Sequence, residues 1–164
     1  MKNKNVFFSL FLSIIAILFF CCNNNIVYDE TQKVNEKGWN MNEKKIFKVD
    51  IQDTIQRYDF AINLRNTTQY KNSNIFFFIK TIYPDNSITL CDTIECYLTY
   101  LDGSWVGKGS GRLKDNRFWF SHSVTFPQKG EYVFEIQQAT RDTNLIGISD
   151  IGIHIEYHKE EKAK

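Results

Sequence analysis

The stretch Arg57-Tyr58-Asp59-Phe60-Ala61-Ile62-Asn63-Leu64-Arg65 sorts its residues by parity. Tyr58, Phe60, Ile62 and Leu64 share one parity, and Asp59, Asn63 and Arg65 share the other. Successive side chains of an extended strand point to opposite faces, so this pattern buries one face and wets the other. A helical period would not separate these residues in this way. The segment is therefore a half-buried strand, and Asn66-Thr67-Thr68 behind it is a turn signal.

The same period recurs on both sides. Upstream, Phe47, Val49 and Ile51 alternate with polar or charged neighbours. Downstream, Ile75–Tyr83 is more uniformly apolar, as expected of a strand covered on both faces. Ile88, Leu90, Ile94, Cys96 and Leu98 share a parity; so do Phe118, Phe120, Val124 and Phe126; so do Tyr132, Phe134 and Ile136; so do Ile151, Ile153, Ile155 and Tyr157. Pro84-Asp85-Asn86, Asp102-Gly103, Asp115-Asn116 and Lys129-Gly130 separate the runs. No stretch holds a helical period, although Gln138–Asn144 has room for one short turn. The expected fold is all-β: a β-sandwich of immunoglobulin-like or jelly-roll type with about seven to nine strands. The expected organisation is a signal peptide at 1–21, a lipidated tether and lead-in segment at 22–44, the sandwich at 45–158 and a charged tail at 159–164.

The N-terminus reads as an export signal. Met1–Asn5 carries two lysines, Val6–Phe20 is apolar apart from Ser9 and Ser13, and Cys21-Cys22 precedes Asn23-Asn24-Asn25. This is a positive start, an apolar stretch and a cleavage region. A helix that spans a bilayer takes about 20 apolar residues, which Val6–Phe20 does not reach. Phe19 and Phe20 do not suit an ordinary signal peptidase, which wants small residues there. A cysteine closing the apolar stretch instead resembles a lipoprotein signal, whose thiol accepts a diacylglycerol and becomes residue one after cleavage. With Cys22 modified the preceding residue is the small Cys21; with Cys21 modified it is the bulky Phe20. Cys22 is the preferred site and Cys21 the alternative. An uncleaved anchor is a further alternative, and it too leaves the remainder outside the cytoplasm on a membrane surface.

Composition narrows the function. Fourteen Phe and eight Tyr favour a packed core over a disordered chain. Removing residues 1–21 takes Lys2 and Lys4 from the 20 basic residues and none of the 19 acidic ones, leaving a net charge of about −1. A nucleic-acid binder shows a basic face or stripe, and none is visible outside the short C-terminal tail.

Catalytic and metal motifs are sparse. Gly107-Lys108-Gly109-Ser110-Gly111 lacks the Gly-Lys-Ser/Thr ending and following helix of a phosphate loop, and reads as a flexible turn. His154 and His158 have a metal spacing on helices, but on a strand their even separation puts both on one face, as solvated histidines. Cys91 and Cys96 have an odd separation that turns them to opposite faces, so a disulfide would need a bend; Cys96 reads as a buried free thiol. Trp39, Trp105 and Trp119 are candidates either for covering core edges or for an interaction surface, and Trp119 has the parity opposite to Phe118 and Phe120. No catalytic residue, metal or cofactor is expected beyond a covalent lipid on Cys22.

A family likeness adds to this. Val27-Tyr28-Asp29-Glu30, Trp39, Asp53-Thr54-Ile55 and Asn63-Leu64-Arg65-Asn66 lead to Tyr70-Lys71-Asn72-Ser73-Asn74. Asp102-Gly103-Ser104-Trp105-Val106-Gly107, Phe126-Pro127, Gly130-Glu131-Tyr132, Ile136-Gln137-Gln138-Ala139 and Gly147-Ile148-Ser149-Asp150-Ile151-Gly152 follow. In this order and spacing the chain resembles the GldH family, gliding-motility lipoproteins of Bacteroidota. The resemblance implies a non-enzymatic envelope lipoprotein needed for gliding, linked to a dedicated protein secretion system, with other envelope proteins and membrane lipid as partners. Asn23–Asn25 offers no acidic cluster of the kind that resembles a surface-export signal, which favours the periplasmic face of the outer membrane. A carbohydrate-binding envelope lipoprotein is the competing expectation, resting on the fold class and the tryptophans.

Overall fold

A computed structural model describes residues 25–88 and 91–160; Cys21 and Cys22 lie outside the described residues. The described chain is all strand and loop: β1 (Ile26–Lys33), β2 (Trp39–Asn40), β3 (Lys44–Ile51), β4 (Tyr58–Thr67), β5 (Asn74–Ile82), β6 (Asp92–Tyr97), β7 (Leu113–Val124), β8 (Gly130–Gln138), β9 (Asn144–Leu145) and β10 (Ile148–Tyr157). Eight of these are full strands, while β2 and β9 are a two-residue pair.

The strands pair as nested hairpins: β1 with β10, β3 with β8, β4 with β7, and β5 with β6 at the centre, all antiparallel. Two further pairings, β10 with β4 and β8 with β5, complete the sheets β1-β10-β4-β7 and β3-β8-β5-β6. A long two-stranded ribbon rolled in this way is a jelly roll, which decides between the two sandwich types read from the sequence. Each of the connections β3–β4, β4–β5, β6–β7 and β7–β8 crosses between the sheets. The two sheets therefore share their ends.

The core lies between the sheets. Tyr58, Phe60, Ile62 and Leu64 of β4 face Phe47, Val49, Phe77, Tyr132, Phe134 and Ile136 of the second sheet in one buried cluster. Full burial of a large apolar side chain contributes about 1.5–3 kcal/mol. The buried tyrosines also fasten loops. Tyr58 Oη donates to the carbonyl of Asp53 at 2.6 Å, Tyr70 Oη to that of Asn74 at 2.7 Å, and Tyr132 Oη to that of Gln128 at 2.8 Å. Burial pushes the Tyr58 and Tyr70 phenols up to about 12.

The structure departs from the sequence expectations at two elements. Residues 26–33 are not a tether but a full strand on the edge of the first sheet, so the sandwich begins near residue 26 rather than 45. Their side chains are mostly exposed or half-buried, so β1 is held by backbone pairing and lacks the apolar alternation that marks a strand. In β5 only Ile75, Phe77 and Ile79 are buried; Phe78 is exposed, so the strand is covered on one face.

Cys96 is buried and Cys91 exposed, both as free thiols. Burial pushes the Cys96 thiol up to about 12, with the Glu95 charge adding to the shift.

Candidate functional site

The three tryptophans have three different settings. Trp39 is fully buried, its Nε1 donating to the Glu43 carbonyl at 2.9 Å and its ring 6.0 Å from that of Phe77. It is part of the core and offers no surface. Trp105 is half-buried against the core, where its backbone bridges Thr99. Trp119 points outward from β7 and is 41% exposed.

Around Trp119 the register assembles a polar brace. Asp29 of β1 stands opposite His154 of β10, His154 opposite Ala61 of β4, and Ala61 opposite Trp119 of β7. Because Ala61 is small, Trp119 reaches across it and meets the His154 ring edge-on at 5.5 Å. Asp29 Oδ2 lies 2.9 Å from His154 Nδ1, and Glu156 Oε2 lies 3.2 Å from His154 Nε2. Arg117 joins from the next row, with Nη2 on Asp29 Oδ2 at 3.0 Å, Nε on Asn63 Oδ1 at 2.7 Å and Nη1 3.4 Å from His154 Nε2. The histidine is fully buried, which corrects the expectation of a solvated residue. Its outward parity holds, but Trp119 and Arg117 close over it.

A second group sits at the end of the same sheet. Asp59 accepts from the Ser123 N–H at 2.8 Å and contacts His158 Nδ1 at 2.8 and 3.0 Å, with His122 Nδ1 at 3.5 Å. Ser123 has φ 58, and the β4–β7 register shifts beside Phe60, so a bulge turns the Ser123 N–H onto the carboxylate. Burial opposes the charge on Asp59, but the Ser123 N–H and the histidines outweigh it, and the carboxyl lies below its ordinary range. His122 in turn stacks on Trp119 at 5.8 Å. His158 is thus bonded rather than freely solvated.

This chemistry is that of a brace. Both ring nitrogens of His154 lie within hydrogen-bond distance of carboxylates, and among the described residues its hydrogen-bond partners are Asp29, Glu156 and Arg117. Among the described residues no group of three or more His, Cys, Asp or Glu is set to hold a metal ion.

The open side of the sandwich differs. The edge strands β6 and β7 flank a groove of about 530 Å³, lined by Tyr97, Tyr100, Leu101, Val106, Arg117, Phe118 and Trp119 among others. Tyr97, Tyr100, Leu101 and Trp119 are all exposed there. The Leu98–Trp105 hairpin carries Tyr100 and Leu101 at its tip, where Asp102 Oδ1 accepts from the Ser104 N–H at 2.9 Å and shapes the turn. Sequence reasoning found Trp119 and missed the other three. Tyr97 was legible in principle, since its parity is opposite to that of Cys96 and Leu98. The joining of β6 to β7 across the sandwich was not.

A family model described as GldH lipoprotein matches residues 26–155. A protein named gliding motility lipoprotein GldH homolog, from Christiangramia forsetii, is 34% identical over 157 residues, covering 91% of this chain and 95% of its own. Gliding motility lipoprotein GldH of Flavobacterium johnsoniae is 31% identical over 163 residues, covering 95% of this chain and 98% of its own. Among solved structures, dimeric latent PorU from Porphyromonas gingivalis aligns at a TM-score of 0.32 and 7% identity over 82% of this chain, which spans only 13% of that protein. At that score no shared fold is established.

Proposed function

The chain belongs to the GldH lipoprotein family, and from that premise we propose that it is a non-enzymatic, membrane-anchored component of the gliding-motility machinery and its associated protein secretion system. A GldH-like gliding-motility lipoprotein is a protein of the cell envelope. The finer reading is that Cys22, in preference to Cys21, carries the lipid. The domain then faces the periplasm from the outer membrane and works by holding other envelope proteins, with no cofactor beyond the acyl anchor.

The observation that carries this reading is the extent of the family match, which runs from the first residue of β1 to residue 155 in β10 and so reaches every strand of the sandwich. The groove between β6 and β7 supports a protein partner, because Trp119, Tyr97, Tyr100 and Leu101 combine aromatic and aliphatic surface with Arg117 at the rim. A sugar platform draws less support: Trp39 is interior, and one ring face of Trp119 carries His122.

Deleting the gene, or substituting Cys22→Ala, in a gliding host is expected to impair colony spreading and export of the secreted cargo. Wild-type spreading and secretion after deletion would refute the proposal.

A further inference from the structure

Asn25 is tied to the last strand: its Nδ2 donates to the Tyr157 carbonyl at 3.0 Å, and its own carbonyl accepts from the Tyr157 N–H at 2.9 Å. The chain leading back to Cys22 therefore leaves the sandwich at one defined end. That end also carries the 52–57 loop, residues 83–88 and the 125–129 loop. His158 N donates to the Arg57 carbonyl at 2.7 Å, and the Tyr83 ring lies 5.2 Å from Tyr132 beside the Gln128 turn.

Cys22 precedes Asn25 by three residues. Three residues reach at most about 11 Å when fully extended. An acylated cysteine sits at the edge of the hydrocarbon, and the headgroup layer adds about 5–8 Å per leaflet. A tether this short leaves little room for a water layer between the sandwich end and the headgroups.

Ile55 stands at that end with 88% of its surface exposed. Its loop is built rigidly behind it: Asp53 Oδ1 accepts from the N–H groups of Ile55 and Gln56 at 2.8 and 3.1 Å, and Tyr58 holds the Asp53 carbonyl. Ile88, 58% exposed, is fixed at the same end by its bridge to Ile82. Arg57 and Lys129 are exposed, while the Asp53 and Asp85 carboxylates are turned onto backbone N–H groups of their own loops. Scattered exposed isoleucines are ordinary on a protein surface. Here the tether brings lipid to them, and the exposed Arg57, whose Nη1 donates to Ser123 Oγ at 2.9 Å, and Lys129 suit anionic headgroups.

We infer that the end of the sandwich formed by the 52–57 loop rests on the lipid surface with Ile55 inserted among the headgroups, which points the Tyr100–Leu101 hairpin away from the membrane. This orientation rests on acylation of Cys22. The test uses the lipidated chain with Cys91→Ser and a single reactive thiol, either Gln56→Cys or Leu101→Cys. Each is labelled with an environment-sensitive fluorophore and reconstituted into vesicles of phosphatidylethanolamine and phosphatidylglycerol. Lipid-borne nitroxides are expected to quench the label at 56 several-fold more than the label at 101, and Ile55→Asp is expected to remove most of that difference. Protein that floats with the vesicles but shows equal quenching at 56 and 101 overturns the orientation alone. Protein that does not float overturns the acyl anchor and the orientation together.

Discussion

His154 has no exposed surface, and its imidazole is shut between Asp29, Glu156, Arg117 and the edge of Trp119. The charged groups around it come from three different strands, so the ring joins β1, β10 and β7 across the outer face of the sheet. His154→Ala removes bonds to charged groups and opens a gap beneath Trp119, at a cost of about 2–3 kcal/mol. The expected result is a lower urea midpoint with an unchanged slope; an unchanged midpoint would deny the brace its role. Asp59 supplies a pH dependence. Its folded carboxyl lies below the ordinary range, so the folded state favours the ionised form. The stability it contributes is fully present above the unfolded value of about 3.9 and is lost as pH falls through the folded value. Stability measured by urea at descending pH is expected to drop below about pH 4. Asp59→Asn is expected to make that drop shallower without abolishing it, because Asp53, Asp85 and Asp102 are lowered as well. An identical acid limb in the variant would remove Asp59 from the explanation.

At the scale of the element, the Leu98–Trp105 hairpin and the edge of β7 form the surface proposed for partner binding. Leu101 projects fully into solvent, so Leu101→Asp is expected to leave the thermal midpoint unchanged. If the hairpin is a centre of binding, the same change weakens capture of envelope partners by about tenfold or more in quantitative cross-linking from native membranes. Equal capture by variant and wild type would move the interface elsewhere. How far such elements are legible in the sequence depends on what holds each one. The strand at 58–65 announces itself because one of its faces is buried and the other largely polar. β1 does not, because an edge strand with half-exposed side chains owes its place to backbone bonds. Phe78 made β5 read as covered on both faces, yet its exposed ring faces outward. Parity turned His154 outward correctly, but its burial depends on Ala61 lying between it and Trp119. That is a matter of cross-strand register, which a single sequence does not encode legibly.

At the scale of the molecule, nested pairing explains why β1 and β10 are neighbours: the first and last strands of a rolled ribbon meet. Asn25 and Tyr157 are therefore joined, and the chain toward Cys22 departs from one end of the sandwich, while Tyr100 and Leu101 stand beyond the far end of β6. The proposed mooring and the proposed binding surface thus lie at opposite ends of the strand axis. The proposed role depends on that mooring, since a sandwich released from lipid would lose both its address and its orientation. Mass spectrometry of the N-terminal peptide from native membranes tests this most directly. The expected species begins at Cys22, lacks residues 1–21 and carries a diacylglycerol thioether. A peptide with an unmodified Cys22 from a soluble chain, or one that retains its first twenty-one residues, would contradict it.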